Sequence, residues 1–308
     1  DVSVSAKLKP ILDEGLNAVN SGDIATAQKD LQPIADSSDN LYAKAKALSA
    51  LALVKYNSGD TKGAIALEKQ AIALNSLPND DYFPSLYSLA EMYTADEEYA
   101  QASTTLDQWM QQSGKQWAEV YALKGNALYR LEKYPEAVAA IQKAKSLSDK
   151  PQDSWDQILT ASYFAMDKYD DAAKLAEQAL AKDPDNPKLL MNAVSIYTNA
   201  KQYDKALALL ERARSNGQIT DETTYVNMAG LYYNMAVDGK NAKSNAAKAA
   251  QVLEEGMGKG IVKPSQENYK LLGEAYTLSG DKAKAADAYD KAGLPHETTH
   301  KSSGKKSG

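Results

Sequence analysis

The chain's only two histidines stand together, in His296-Glu297-Thr298-Thr299-His300. That segment matches H-E-x-x-H, where two imidazoles one helical turn apart hold zinc and the glutamate between them acts as a base. The chemistry needs a helix, a third ligand and a dry cleft. Here Pro295 precedes the segment, two threonines lie inside it, and no Asp, Glu or His follows it. The expectation is no catalytic residue, no metal and no cofactor, with a zinc-dependent hydrolase acting through this segment kept as an alternative. Elsewhere the ingredients are missing. There is no cysteine, and no histidine before residue 296, so neither a Ser-His-Asp nor a Cys-His arrangement can be assembled in the body of the chain. The acidic pairs Asp13-Glu14, Glu97-Glu98 and Asp170-Asp171 fall near turns or on polar faces and read as solvated surface. Gly256-Met257-Gly258-Lys259-Gly260 follows a helical run rather than a strand and lacks the spacing of a phosphate loop. A glycine stop for a helix over Ala249 to Glu255 accounts for it.

The elements that would position any site are repeats. One alanine recurs as Ala27, Ala64, Ala102, Ala137, Ala172, Ala206, Ala249 and Ala285, at steps of 37, 38, 35, 35, 34, 43 and 36 residues. About twelve residues before it stands a second position, usually small: Gly15, Ala52, Ala90, Gly125, Thr160, Val194, Ala229 and Gly273. Just before the alanine comes a turn signal, written Ser21-Gly22-Asp23, Ser58-Gly59-Asp60 or Ser279-Gly280-Asp281 in three units. Antiparallel helices joined by a tight turn approach closely at one level, where a side chain larger than methyl would part them. Around these sites apolar residues recur with the helical period, as in Leu86, Leu89, Ala90 and Tyr93, and in Leu190, Ala193, Val194 and Tyr197. The step from Ala206 to Ala249 is long. The extra residues fall within 236–247, and a longer helix–helix loop is expected there, a functional protrusion being the alternative.

The pattern of a small residue, a tyrosine three later, a tyrosine before the turn and then alanine resembles the tetratricopeptide repeat (TPR). Trp155, Leu159, Tyr163, Tyr169, Ala172, Ala179 and Pro184 show it in one unit. The resemblance covers about eight units, over roughly residues 8 to 292. It implies an all-α, right-handed α-solenoid of helix-turn-helix repeats over residues 1–292. Residues 293–308, polar and Lys-rich with almost no apolar residue, read as a disordered basic tail. More finely, Leu209-Leu210-Glu211-Arg212-Ala213, Leu231-Tyr232-Tyr233 and Ala250 to Met257 resemble exported repeat proteins associated with TonB energy-transduction systems. That likeness implies an adaptor in a bacterial envelope transport machine.

In such a solenoid the first helix of each pair lines the concave side. Counting from the small position places Tyr56, Tyr87, Tyr129, Phe164, Met191 and Tyr233 there, with Asn126, Asn199 and Asn234 beside them. The aromatic and thioether side chains either anchor a partner's peptide segment or helix, or pack between repeats; both readings stand. An Asn amide can pair with both groups of a bound backbone. The basic clamp by which some relatives hold a terminal carboxylate has no counterpart, because Leu16, Leu53 and Glu91 occupy those places. The function expected is therefore non-catalytic: a scaffold that holds part of another protein in its groove. A self-assembling structural protein is the other reading.

Composition agrees. The hydrophobic share is 44% and the charged share 25%, ordinary values for a folded chain. Net charge is −6, which repels phosphate backbones, so nucleic acid is not an expected partner. The most apolar stretch, Ala47 to Val54, is far too short for membrane insertion. A first residue other than Met, together with the lack of cysteine, leads to the expectation of a periplasmic or otherwise exported mature chain, a cytoplasmic one being the alternative. Nothing in the sequence decides the oligomeric state.

Overall fold

The computed structural model describes residues 3–295, so the His296–His300 segment and most of the expected tail lie outside it. Among the described residues there are sixteen helices and no strands. They fall into two compact units that meet after Lys168. The first holds α1 (Lys9–Ser21), α2 (Ile24–Ser37), α3 (Leu41–Asn57), α4 (Thr61–Ala73), α5 (Asn79–Ala95), α6 (Tyr99–Ser113), α7 (Ala118–Arg130), α8 (Tyr134–Leu147) and α9 (Asp153–Ala165). The second holds α10 (Tyr169–Lys182), α11 (Pro187–Asn199), α12 (Tyr203–Ser215), α13 (Glu222–Val237), α14 (Ala242–Gly258), α15 (Gln266–Ser279) and α16 (Lys282–Ala292).

Within each unit, successive helices pack as neighbours. Odd-numbered helices also adjoin one another directly, α1 with α3, α5 with α7 and α7 with α9 in the first unit, α13 with α15 in the second. Even-numbered helices show no comparable pairing among the described residues. The first helices of the pairs thus form the tighter, inner face of each stack.

The recurring alanines explain why pairs nest. All eight are buried, each on the second helix of a pair. The position twelve residues earlier is buried in seven of the eight units; Thr160 alone is half-buried. A β-carbon on Gly125 would lie 2.5 Å from Ile141 Cδ1, and one on Gly15 2.6 Å from Leu31. Facing side chains therefore occupy the space that these glycines leave.

The turns have a common geometry. The residue five before the alanine takes a left-handed backbone: Gly22, Gly59 and Gly280 in three units, but Glu97, Glu132, Asp167 and Lys201 in four others. In the Ser-Gly-Asp turns the division of labour is clear. Glycine adopts the left-handed conformation that ends the first helix, and Asp23, Asp60 or Asp281 then caps the second by accepting from the amide of Thr26, Gly63 or Lys284.

Two expectations fail. The extra residues of the seventh repeat do not make a longer loop. α13 runs on to Val237 and α14 begins at Ala242, so only four residues connect them. Each helix gains about one turn of ~3.6 residues, extending the hairpin rather than its loop. Val237 stands exposed at this tip. Nor does α14 stop at Gly256. That glycine is buried inside the helix, where an added β-carbon would lie 2.4 Å from Val262 Cγ2. The left-handed stop is Gly260.

Candidate functional site

Among the described residues, each unit has a cavity that opens on the first-helix face. The cavity of the first unit, about 470 Å³, is walled by α1, α3 and α5. Leu16, Val19, Ala50, Leu53 and Met92 make its apolar surface. That of the second unit, about 520 Å³, lies on α11 and α13, with Met191, Asn199, Val226 and Asn234 among its walls. Their floors occupy the same repeat position, four residues after the recurring alanine. In the second unit this residue is Leu210; in the first it is Glu68.

Glu68 is the chemical anomaly of the fold. Its equivalents are Leu31, Leu106, Ile141, Ala176, Leu210, Leu253 and Tyr289, none of them ionisable near neutrality. The glutamate on α4 is 1% exposed. Its Oε1 and Oε2 accept from the Ser49 hydroxyl at 2.9 and 3.2 Å, and Ser49 Oγ lies 3.1 Å from Ser85 Oγ. Among the described residues no cation pairs with it. Burial pushes its carboxyl up to about 7, while the two serine hydroxyls pull the other way without balancing it. At the rim, Lys46 is already engaged, with Nζ 2.9 Å from Asp81 Oδ1, and Tyr42 adds a hydroxyl 3.4 Å from Asp81 Oδ2.

The residues singled out in the sequence distribute unevenly. Met191, Asn199 and Asn234 share the second unit's cavity. Asn199 and Asn234 are exposed, and Met191 is half-buried. Tyr56, Tyr87 and Tyr129 are half-buried and pack against core clusters, around Ala52 and Met92, around Leu86 and Trp109, and around Leu128 and Ala137 respectively. Tyr129 also meets the Tyr134 ring at 5.8 Å. Asn126, Phe164 and Tyr233 are half-buried and line neither cavity. Burial, with Glu274 nearby, raises the Tyr233 hydroxyl's pKa. Sequence reasoning passed over Glu68, Ser49 and Ser85 as a group. The available signal was an acid at a position that is apolar in every other repeat.

No group of three potential metal ligands occurs among the described residues, nor any helix long and apolar enough to cross a membrane.

Family profiles described as tetratricopeptide repeat match residues 12–78 and 163–218. Those two stretches match the tetratricopeptide repeat. Within them the recurring Ala27, Ala64, Ala172 and Ala206 are all buried. Among solved structures, a tetratricopeptide repeat protein from Parabacteroides merdae is similar at 14% identity, covering 88% of this chain and 99% of its own, with a TM-score of 0.51. That likeness is one of fold. MamA AMB-1 is similar over 58% of this chain and 92% of its own, at 17% identity and a TM-score of 0.48. YrrB, a TPR protein with an unusual peptide-binding site, is similar over 54% of this chain and 83% of its own, at 18% identity and a TM-score of 0.44. No curated protein sequence matches.

Proposed function

We infer that this chain is a non-catalytic scaffold that holds a segment of another protein on the first-helix face of its repeats. The observation that carries the reading is the pair of cavities. Each unit has one on that face, over the same repeat position, walled by apolar side chains with a few polar groups among them. Such a surface buries a partner's side chains while its polar groups fix their orientation. Tetratricopeptide repeats in general serve as protein-interaction scaffolds, which supports the reading. In the second unit, the exposed amides of Asn199 and Asn234 supply donors and acceptors for a partner's backbone. The half-buried aromatic residues Tyr56, Tyr87, Tyr129, Phe164 and Tyr233, with Asn126, then serve chiefly to hold the face in shape.

The proposed setting is the bacterial periplasm, beside a TonB-linked transport machine. Support comes from the wording of Leu209 to Ala213, Leu231 to Tyr233 and Ala250 to Met257. Photo-crosslinking in the native cell tests the scaffold reading. A photoreactive side chain at Asn199 or Asn234 should capture a discrete partner, whereas one on the outer helices should not. Equal capture from both faces would refute it.

A further inference from the structure

The cavity of the first unit has a floor unlike its counterpart's, and the difference has a chemical direction. Where Leu210 makes an apolar floor, Glu68 presents a carboxyl group beneath walls of Leu16, Val19, Leu53 and Met92. We propose that this cavity receives a lysine side chain of the bound protein segment, the methylene stem against the apolar walls and the ammonium on Glu68. The proposal rests on the scaffold reading and adds what the groove selects.

Three observations carry it. First, Glu68 lines a cavity with room for a four-carbon stem and an ammonium, yet its oxygens meet only hydroxyl partners. A carboxylate can accept about four hydrogen bonds, and the Ser49 and Ser85 hydroxyls leave part of that capacity open. An ammonium offers three donors. Second, the charges facing the cavity are unbalanced. α3 contributes Lys46, α4 contributes Glu68, α5 contributes Asp80 and Asp81, and the lining residues of α1 are uncharged. The Lys46–Asp81 pair cancels, which leaves Asp80 and Glu68 with no salt bridge among the described residues. Third, Pro84 lies inside α5 and lacks an N–H, so it donates nothing to the carbonyl of Asp80, four residues earlier. Asp80 and Pro84 both line the cavity. An anionic group would meet the Glu68, Asp80 and Asp81 carboxyls, and a neutral apolar group would leave the Glu68 carboxyl buried and unmatched.

The proposal has a pH signature. Burial places the Glu68 titration near 7 in the empty cavity, so an ammonium meets an ionised partner above that value and a neutral one below it. Lysine itself stays charged throughout this range.

The test is an NMR titration of the full-length, isotope-labelled chain with two probes, N-acetyl-lysine N-methylamide and its uncharged isostere N-acetyl-norleucine N-methylamide. At pH 8 the lysine probe should shift the resonances of Ser49, Ser85 and Met92 and bind about tenfold more tightly than the norleucine probe, the worth of a charge-assisted hydrogen bond. At pH 5.5, and in Glu68→Gln at pH 8, that preference should fall to about onefold. Equal affinities at pH 8, shifts confined to other residues, or a preference unchanged at pH 5.5 would overturn the proposal. The pH comparison uses the unaltered protein, so it decides the matter even if Glu68→Gln fails to fold. If the probes fail while Asn199 and Asn234 still crosslink a partner, the scaffold reading stands and only the lysine pocket falls.

Discussion

Replacing Glu68 with leucine should make the first unit more stable at pH 8 while leaving it nearly unchanged at pH 4.5. The magnitude follows from the site. A carboxyl with an ordinary value of 4.5 in the unfolded chain is pushed up to about 7 by burial in the folded one. A raised acid pKa means that the folded state binds the proton more tightly, so this group's favourable contribution is complete below about 4.5. It is lost as pH rises towards 7, after which a constant penalty remains. The shift corresponds to roughly 3 kcal/mol. Leucine should fit, because Leu106, at the same position in the next repeat, is fully buried in a cluster with Ala90. Ser49 and Ser85, 3.1 Å apart, can then bond to each other. The assay is urea unfolding followed by tryptophan fluorescence between pH 4.5 and 8.5. Trp109, Trp117 and Trp155 all lie in the first unit, so the signal reports that unit alone. Other carboxyls titrate in both proteins, and their effects cancel in the difference. That difference should grow from near zero to about 3 kcal/mol. A difference independent of pH, or a wild type more stable than the variant at pH 8, would refute the reasoning.

Two further predictions concern glycine. Gly125→Ala should cost about 1–3 kcal/mol, because its methyl would collide with Ile141, whereas Gly230→Ala, with nothing within 4 Å, should gain up to about 1 kcal/mol from helix propensity; thermal melts of the two variants check the opposite signs. Glycine at Glu97, Glu132 or Lys201, whose φ angles are 60°, 60° and 58°, should relieve a left-handed strain and stabilise the chain by about 1 kcal/mol per site, read from denaturant midpoints. Helicity by circular dichroism should be unchanged in these turn variants.

The helical pairing was legible because it depends on side-chain size at fixed intervals. Ala27, Ala64 and their six counterparts are buried where the spacing put them, since no larger residue fits between nested helices. Helix ends were harder to place. Gly239 and Asn241 read as loop, yet they turn a hairpin whose helices each run a turn further, because Met235 and Ala236 on one and Ala246 on the other still find buried neighbours. Gly256 reads as a stop but serves close packing against Val262. Met191, Asn199 and Asn234 could be placed on one face from the period alone. Whether Tyr56 or Tyr129 would pack on the core could not, because an aromatic at helical spacing suits either role until the neighbouring helix is in place. Glu68 escaped notice for a different reason: a search for apolar periodicity passes over the one unit in which the apolar position carries an acid.

The scaffold account is tested most directly by comparing the two faces of the same molecule. Photoreactive residues would be placed on the first helices at Leu53, Asn199 and Asn234, and on the second helices at Gln70 and Ala208, all exposed. The account predicts that, in the native cell, the first-helix sites join to one segment of a partner chain, identified by mass spectrometry of the crosslinked peptides, while the second-helix sites yield none. Joining through Gln70 and Ala208 with silence at Leu53, Asn199 and Asn234 would contradict it.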